Sequence, residues 1–330
     1  MQNSNNDTVL VTGANGFVGS RLCRWLHSEG YRVIAGVREG CDTSRLSGID
    51  LEFRTGDITK PETLPAMVGE VDYVVHNAGV VKANHPDHFF KINQEGTGNI
   101  IEAARCNSKL KKFVYISSLA AVGPSEKNRP LDEDDPAHPI TVYGRSKLAG
   151  ERAVLSATEQ IKSVIIRPPG IYGPGDREMF AFFQIIDNRI KPYIGSLNRR
   201  IQLVHVDDLC HGVMLALRAD TEPGSRYFIA ETRSYSYREL IAHLRRAVDR
   251  WCIPVYLPGA AVKFTARISE TVLRLFDRTP MFTVEKAKEI LENWEMCTDR
   301  ARKELGFESR IPFPEGARKT VHWYREEAWL

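Results

Sequence analysis

A chain of 330 residues, 42% hydrophobic and 26% charged, can bury a large core, alone or with a smaller second region, and needs no disordered tract. Its formal net charge of +3 is small for that size and points to neither a nucleic-acid surface nor an acidic tail. The six cysteines form no CxxC pair, residues 1–7 are polar rather than a signal peptide, and no apolar run reaches the roughly 18 residues of a membrane span, so a soluble cytoplasmic protein with reduced thiols and no integral membrane segment is expected.

In chain order, residues 8–12 (TVLVT) read as a short buried strand, 21–29 as helical and 32–37 as a second strand. Further strands are expected at 51–54, 73–76, 113–117 and 163–167, most of them separated by helical or loop segments. This alternation implies an α/β fold, a parallel sheet with helices on both faces. After Pro168 the rhythm changes. Pro168, Pro169, Gly170, Gly173, Pro174 and Gly175 form a turn-rich stretch. An apolar helix at 179–186, a strand at 201–206, a helix at 207–217, a strand at 226–230 and further helices are expected beyond it.

The segment Gly13-Ala14-Asn15-Gly16-Phe17-Val18-Gly19 follows the first strand and opens a helix. One glycine permits a tight turn, one lets the backbone approach a pyrophosphate, and one lets helix and strand pack closely. The helix N-terminus then offers free N–H groups and a positive dipole end. These residues predict a Rossmann-type, doubly wound dinucleotide-binding sheet. The expected division is residues 1–170 for the NAD(P)-binding domain, with 202–230 contributing to it, and 171–330 mainly for a smaller C-terminal substrate-binding region over the sheet's carboxyl edge.

The second strand bears on the choice of cofactor. An NAD enzyme usually ends it with an acid that bonds the ribose 2′-hydroxyl. Here Val37 stands at that place and Arg38 follows, and a guanidinium suits the 2′-phosphate of NADP. Arg45 is a candidate second phosphate contact. The residues also allow a solvated Arg38, with Glu39 taking the acidic role and NAD as cofactor.

Tyr143-Gly-Arg-Ser-Lys147 places two side chains four residues apart, on one face of a helix. A free tyrosine has a pKa of roughly 10, and a nearby ammonium is expected to lower it. Tyr143 could then exchange a proton with a carbonyl or alcohol oxygen. Ser118, 25 residues upstream after the fifth strand, could hydrogen-bond the same oxygen. Ser117 reads as a backbone-bonded strand-end residue.

With the spacing GxxGxxG rather than GxGxxG, this set of motifs resembles the extended short-chain dehydrogenase/reductase superfamily, also called the NAD-dependent epimerase/dehydratase family. The Val37-Arg38 pair is similar to the dihydroflavonol 4-reductase group, which uses NADPH. The resemblance implies that Ser118, five residues before Gly123, is the catalytic serine, acting with Tyr143 and Lys147, and that Lys147 also holds the nicotinamide ribose. It implies that Asp57 faces the adenine with Ile58 beside it, and that Asn77, Ala78 and Gly79 line the cofactor. Asn93 matches the helix asparagine that supports the lysine through water; the residues alone also allow a helix-capping or surface asparagine. The segment from Arg167 to Asp176 matches the stretch that passes the nicotinamide, with Pro169 as the expected contact. His205-Val-Asp207-Asp208 matches a signature near the domain junction; Asp207 is expected to cap the next helix, and no metal site is expected. Recognisable motifs run from Val9 to about Leu217, and residues 299–307 match the usual C-terminal helix and turn.

The family includes nucleotide-sugar epimerases and dehydratases as well as reductases of lipophilic alcohols. The former place an Asn after the sixth strand and an arginine before the His-Val-Asp-Asp signature. Here Pro168-Pro169-Gly170 and Ile201 stand at those places, and Arg200 is expected on the other face of the strand. The expected function is therefore NADP-dependent hydride transfer on a small lipophilic carbonyl or secondary alcohol, resembling the 3β-hydroxysteroid dehydrogenase and dihydroflavonol reductase groups. A nucleotide-sugar epimerase or dehydratase and a non-catalytic NADP-sensing or scaffold protein are the alternatives, and a homodimer is one option for assembly. Ala260, Ala261, Val262, Phe264, Ile268, Val272, Leu273, Leu275 and Phe276 fall on an amphipathic helical pattern. This could be a helix on the core or a partner, or a lid; with Lys263, Arg267 and Arg274 it could touch a membrane surface.

Overall fold

The computed structural model describes residues 7–275 and 283–330, with side chains of 269–275 outside the description. The side chains of Val272, Leu273, Arg274 and Leu275, and all of Phe276, therefore lie outside the described residues.

The strands of the main sheet are β1 (Thr8–Thr12), β2 (Arg32–Val37), β3 (Glu52–Thr55), β4 (Tyr73–His76), β5 (Lys112–Ile116) and β6 (Ser163–Arg167), completed by a later strand, Ser225–Phe228. All pairings are parallel, in the order β3-β2-β1-β4-β5-β6-(225–228). The order reverses between β1 and β4, and ligands of doubly wound sheets bind in the crevice beyond the strands' carboxyl ends at such a point.

Both faces of the sheet are covered, which explains strands with almost no polar alternation. Val9 and Val11 join Leu22, Cys23 and Leu26 of α1 (Phe17–Ser28) on one face. Leu10 and Phe113 join Leu64 of α2 (Leu64–Val68) and Ile100 and Ile101 on the other. That second layer also contains α3 (Pro86–Phe90), α4 (Gly96–Arg105) and α5 (Val142–Leu155). Lys112 can begin a buried strand because its ammonium donates to the carbonyls of Ala216 and Ala219.

Beyond β6 lie β7 (Gly170–Tyr172), α6 (Phe180–Asp187), β8 (Ile190–Ile194), β9 (Arg200–Ile201), β10 (Leu203–His205) and α7 (Val206–Arg218). The 225–228 strand is β11, followed by β12 (Tyr235–Ser236), α8 (Tyr237–Val248), β13 (Ile253–Leu257), α9 (Gly259–Leu275), α10 (Val284–Leu291) and α11 (Phe313–Glu326). An aromatic-rich core of Tyr172, Phe183, Tyr235, Tyr237, Phe313 and Tyr324 holds much of this region together.

The expected strand at 201–206 is broken. β9 pairs antiparallel with β12, whereas β10 pairs parallel with β7. Asp207 is not the cap of α7. His205 is, its Nδ1 accepting from the Asp207 backbone N–H at 3.2 Å. The Asp207 carboxylate is taken by Arg21 at 2.5 and 2.9 Å, which ties α7 to α1.

Candidate active site

The glycine turn after β1 is fixed by close approach. Gly13 has φ +64°, and a Cβ there would lie 2.9 Å from the Ala78 Cα. A Cβ on Gly19 would lie 2.1 Å from the Gly13 carbonyl oxygen, so the turn, the helix and the exit of β4 can meet only without side chains. α1 begins at Phe17, four residues earlier than expected, with Gly16 as a cap that offers no side-chain acceptor. Its first amides and positive dipole end are left for a ligand at the crevice. Phe17 and Val18 are half-buried against the core below. Asn15 Nδ2 donates to Asp42 O at 3.2 Å, and Asn77 Nδ2 reaches Gly13 O at 3.5 Å. This uncapped cradle fits a dinucleotide pyrophosphate.

Arg38 follows β2 and is exposed; its carbonyl accepts from Cys41 N at 3.3 Å, and its guanidinium makes no hydrogen bond or ion pair among the described residues. Asp57 lies within reach of its charge, and Asp57 Oδ1 accepts from the Thr59 N–H at 2.9 Å and hydroxyl at 2.8 Å. Burial works to raise the Asp57 pKa, but these bonds and Arg38 hold it below the usual carboxylate range. The Ile58 side chain is buried in the core against Gly96 of α4, so what it can offer the crevice is backbone. Arg45, the candidate second phosphate contact, already has a partner within the chain. Its guanidinium donates to Gly175 O at 3.0 Å, spanning from the β2 side to the Pro-Gly segment after β6.

α5 starts with Thr141 as its cap, the hydroxyl accepting from Gly144 N at 3.0 Å, so Tyr143 stands in the first turn and Lys147 one turn on. Gly144 lets this end of the helix touch the Ser118 turn, because a Cβ there would lie 2.2 Å from Ala120 O. Ser118 Oγ accepts from Ala120 N at 3.1 Å, which leaves the hydroxyl proton free to be donated. The neighbouring Leu119 N donates to Pro168 O at 2.8 Å, and Pro169 is buried beside it. Lys147 Nζ donates to Ile116 O at 2.7 Å and lies 4.3 Å from the centre of the Tyr115 ring. A Cβ built on Gly79 would lie 3.8 Å from Lys147 Nζ and 3.0 Å from Asn93 Oδ1, so the β4 exit closes over both.

Two expectations are corrected here. Lys147 does not lower the Tyr143 pKa; burial pushes the phenol up to about 12, against the pull of the Ser118 hydroxyl, and burial pushes Lys147 down to about 7. The ammonium is turned onto a carbonyl and a ring rather than onto the phenol. Asn93 neither caps a helix nor lies at the surface. It is fully buried in a π-helical turn (Lys91–Glu95), where its Oδ1 accepts from Val80 N at 2.9 Å and its Nδ2 donates to Val80 O and Ser146 Oγ. Its amide is spent on joining the β4 exit to α5.

Several supporting contacts escaped the sequence. Thr12 Oγ accepts the N–H groups of Asn77 and Ala78, both at 3.1 Å, so its one proton goes to His76 Nδ1 at 2.8 Å. His76 Nε2–H then donates to Thr97 Oγ at 3.2 Å, and Thr97 to Asn93 O. Burial holds His76 neutral, with a pKa of about 3. Ser117 is not merely bonded through its backbone: its hydroxyl donates to Glu151 Oε1 at 2.5 Å. Glu151 also takes two bonds from Arg167, at 2.9 and 2.7 Å, with both partners buried. This cluster locks α5 to the ends of β5 and β6. Its one sequence signal is that Glu151 stands four residues after Lys147, on the same helical face. Around the mouth, Glu285 of α10 accepts the Val142 N–H at 2.8 Å, and the Phe89 ring lies 6.4 Å from that of Tyr143.

Comparison with known proteins agrees with this geometry. Residues 9–230 match the family described as the NAD dependent epimerase/dehydratase family. The chain is 29% identical over 325 residues to a ceramide reductase of Caulobacter vibrioides, covering 98% of this chain and 96% of that protein. It is 26% identical over 336 residues to a 3 beta-hydroxysteroid dehydrogenase/Delta 5-->4-isomerase of Mycobacterium tuberculosis, covering 96% and 90%. The crystal structure of gox2253 superposes with a TM-score of 0.83 at 28% identity, covering 98% of this chain and 99% of that one. The chain thus belongs to the NAD dependent epimerase/dehydratase family and is an NAD(P)-dependent enzyme of the extended short-chain dehydrogenase/reductase type.

Proposed function

We propose that the protein is an NADP-dependent oxidoreductase that interconverts a carbonyl and a secondary alcohol on a small lipophilic substrate, with Ser118, Tyr143 and Lys147 as catalytic residues. The observation that carries this reading is the placement of Tyr143 and Lys147 one turn apart on α5, against the Ser118 turn and beside the glycine cradle.

Residues 1–170, with 202–230, would hold the cofactor, and 171–330 would mainly hold the substrate. Gly13, Asn15, Gly16, Phe17, Val18 and Gly19 would hold the pyrophosphate, Arg38 the 2′-phosphate, and Asp57 with Ile58 the adenine. Asn77, Ala78, Gly79, Pro169, Tyr143 and Lys147 would hold the nicotinamide half. When bound, the nicotinamide supplies or takes up a hydride at the reacting carbon.

The chain's own part is proton handling. With its pKa near 12, Tyr143 keeps the proton on Oη until the substrate oxygen becomes strongly basic, which suits donation during reduction. Ser118 Oγ donates to the same oxygen and stabilises its developing charge. Lys147, near 7, changes charge around neutrality, and Glu151 biases it toward the ammonium. Asn93 is a positioning residue, acting through Val80 and Ser146.

Relatives named for ceramide and for a hydroxysteroid support a lipophilic substrate. Arg200, beside Ile201 in sequence, is bonded to the Ser234 carbonyl and hydroxyl at 2.7 and 2.6 Å. The test is a fluorescence titration with NADPH and NADH, followed by incubation with carbonyl compounds and with UDP- and GDP-sugars. NADPH should bind tighter and be consumed by carbonyls. Sugar-nucleotide turnover without net change of cofactor would replace this reading with an epimerase.

A further inference from the structure

The segment after α8 carries an apolar surface that the rest of the fold covers only in part: the Tyr256 ring lies 4.9 Å from that of Tyr193 and is otherwise open. All five residues of β13 are exposed, and Pro258 after it is exposed too. Trp251 is 69% exposed, Tyr256 66% and Phe264 62%. Side chains of this size normally supply the most burial of any residue, so three of them exposed between positions 251 and 264 mark an interaction site. β13 pairs along one edge with β8, which adds exposed Ile190 opposite Ile253. On α9, Val262 and Ala266 pack inward on Ile194 and Ala287, while Phe264 and Ile268, four residues apart, face out.

The rim of this surface is basic. Arg189 and Lys191 flank Ile190, Arg250 precedes Trp251, and Lys263 precedes Phe264. Arg245 reaches the Arg250 carbonyl. Among the described side chains, the carboxylates beside these cations in sequence are Asp249 and Asp187, the latter paired with Arg250 at 3.1 Å; Glu270 of α9 lies outside the described side chains. A second copy of this chain placed face to face would bring the same cations together. A lipid surface matches both features: aromatic rings settle at the headgroup level, and cations meet lipid phosphates.

We propose that this face, centred on Trp251, Tyr256 and Phe264, docks the protein on an anionic lipid surface. No helix among the described residues is long and apolar enough to cross a membrane, so the attachment is peripheral. α9 packs on α10, and α10 touches the first turn of α5 through Glu285, so the docked face lies one helix away from Tyr143. A lipophilic compound leaving the bilayer would have a short path to the crevice. The docking itself rests on the surface and not on the hydride-transfer reading.

The experiment is co-sedimentation of the full chain with vesicles of phosphatidylcholine alone and of phosphatidylcholine mixed with phosphatidylglycerol. Binding should appear on the mixed vesicles, weaken with salt, and fall at least about tenfold in the triple variant Trp251→Ser/Tyr256→Ser/Phe264→Ser. Arg189→Gln and Lys191→Gln should each lower it about fivefold. NADPH titration reports separately on the crevice of each variant. Should the triple variant not fold, quenching by brominated acyl chains reads the wild type directly, because Trp251 is the one exposed tryptophan of the five. Absence of binding or of quenching, or binding that survives the triple change, overturns the proposal. So does a dimer that the triple variant dissolves while vesicles bind neither protein.

Discussion

The crevice at the carboxyl edge of the sheet and the face around β13 are built on opposite terms. In the crevice, position comes from backbone contacts too close for any side chain, at Gly19 and Gly144, and from buried hydrogen bonds that link β1, β4, β5 and α5. Around β13, large apolar groups keep much of their surface in solvent. The first arrangement holds reacting groups in place and tolerates no change. The second is free to meet something outside the chain.

Stability measurements sharpen that contrast. Glu151→Ala leaves the Arg167 guanidinium buried without its carboxylate, and should lower unfolding free energy by about 3–5 kcal/mol in urea denaturation. Trp251→Ser on the outer face should change it by no more than about 0.5 kcal/mol. Equal costs would mean that the two regions do not differ as described.

A smaller effect lies in pH dependence. Lys147 has a lowered pKa in the folded chain, about 7 against an ordinary 10.5, so between those values the unfolded chain binds more protons. Its contribution to stability therefore rises with pH across that window, by on the order of a few kcal/mol in total. Lys147→Met should be less pH-dependent over the same range, as read by thermal unfolding in a buffer series. An unchanged slope would show that the lysine is not held in a desolvated site.

The smallest expected change is at the rim of the crevice. Arg38→Gln removes an exposed charge that only adds to the field at Asp57, so stability should change by no more than about 0.5 kcal/mol while NADPH affinity falls about tenfold and NADH affinity stays the same. Equal loss for both cofactors would separate Arg38 from the 2′-phosphate.

What was legible in the sequence was what local spacing controls. The glycines at 13, 16 and 19 must follow one another at that interval to make the turn, and Tyr143 and Lys147 share a face because a helix puts them there. What was not legible depended on chain brought in from afar. Ser117 finds Glu151 34 residues away, and Asp207 finds Arg21 186 residues away, so neither side chain does what its neighbours suggest. The titration of Tyr143 was misjudged for the same reason, since burial of the phenol and the turning of Lys147 toward Ile116 are set by packing. The break between β9 and β10 likewise follows from two different partner strands, β12 and β7.

The central claim is that Tyr143 moves the proton in an NADPH-dependent reduction. It is tested most directly by following NADPH absorbance with a panel of carbonyl substrates for the wild type and Tyr143→Phe. The account predicts consumption by the wild type and a loss of about 10²- to 10⁴-fold in kcat for the variant, with NADPH binding retained. Full activity in Tyr143→Phe would contradict it.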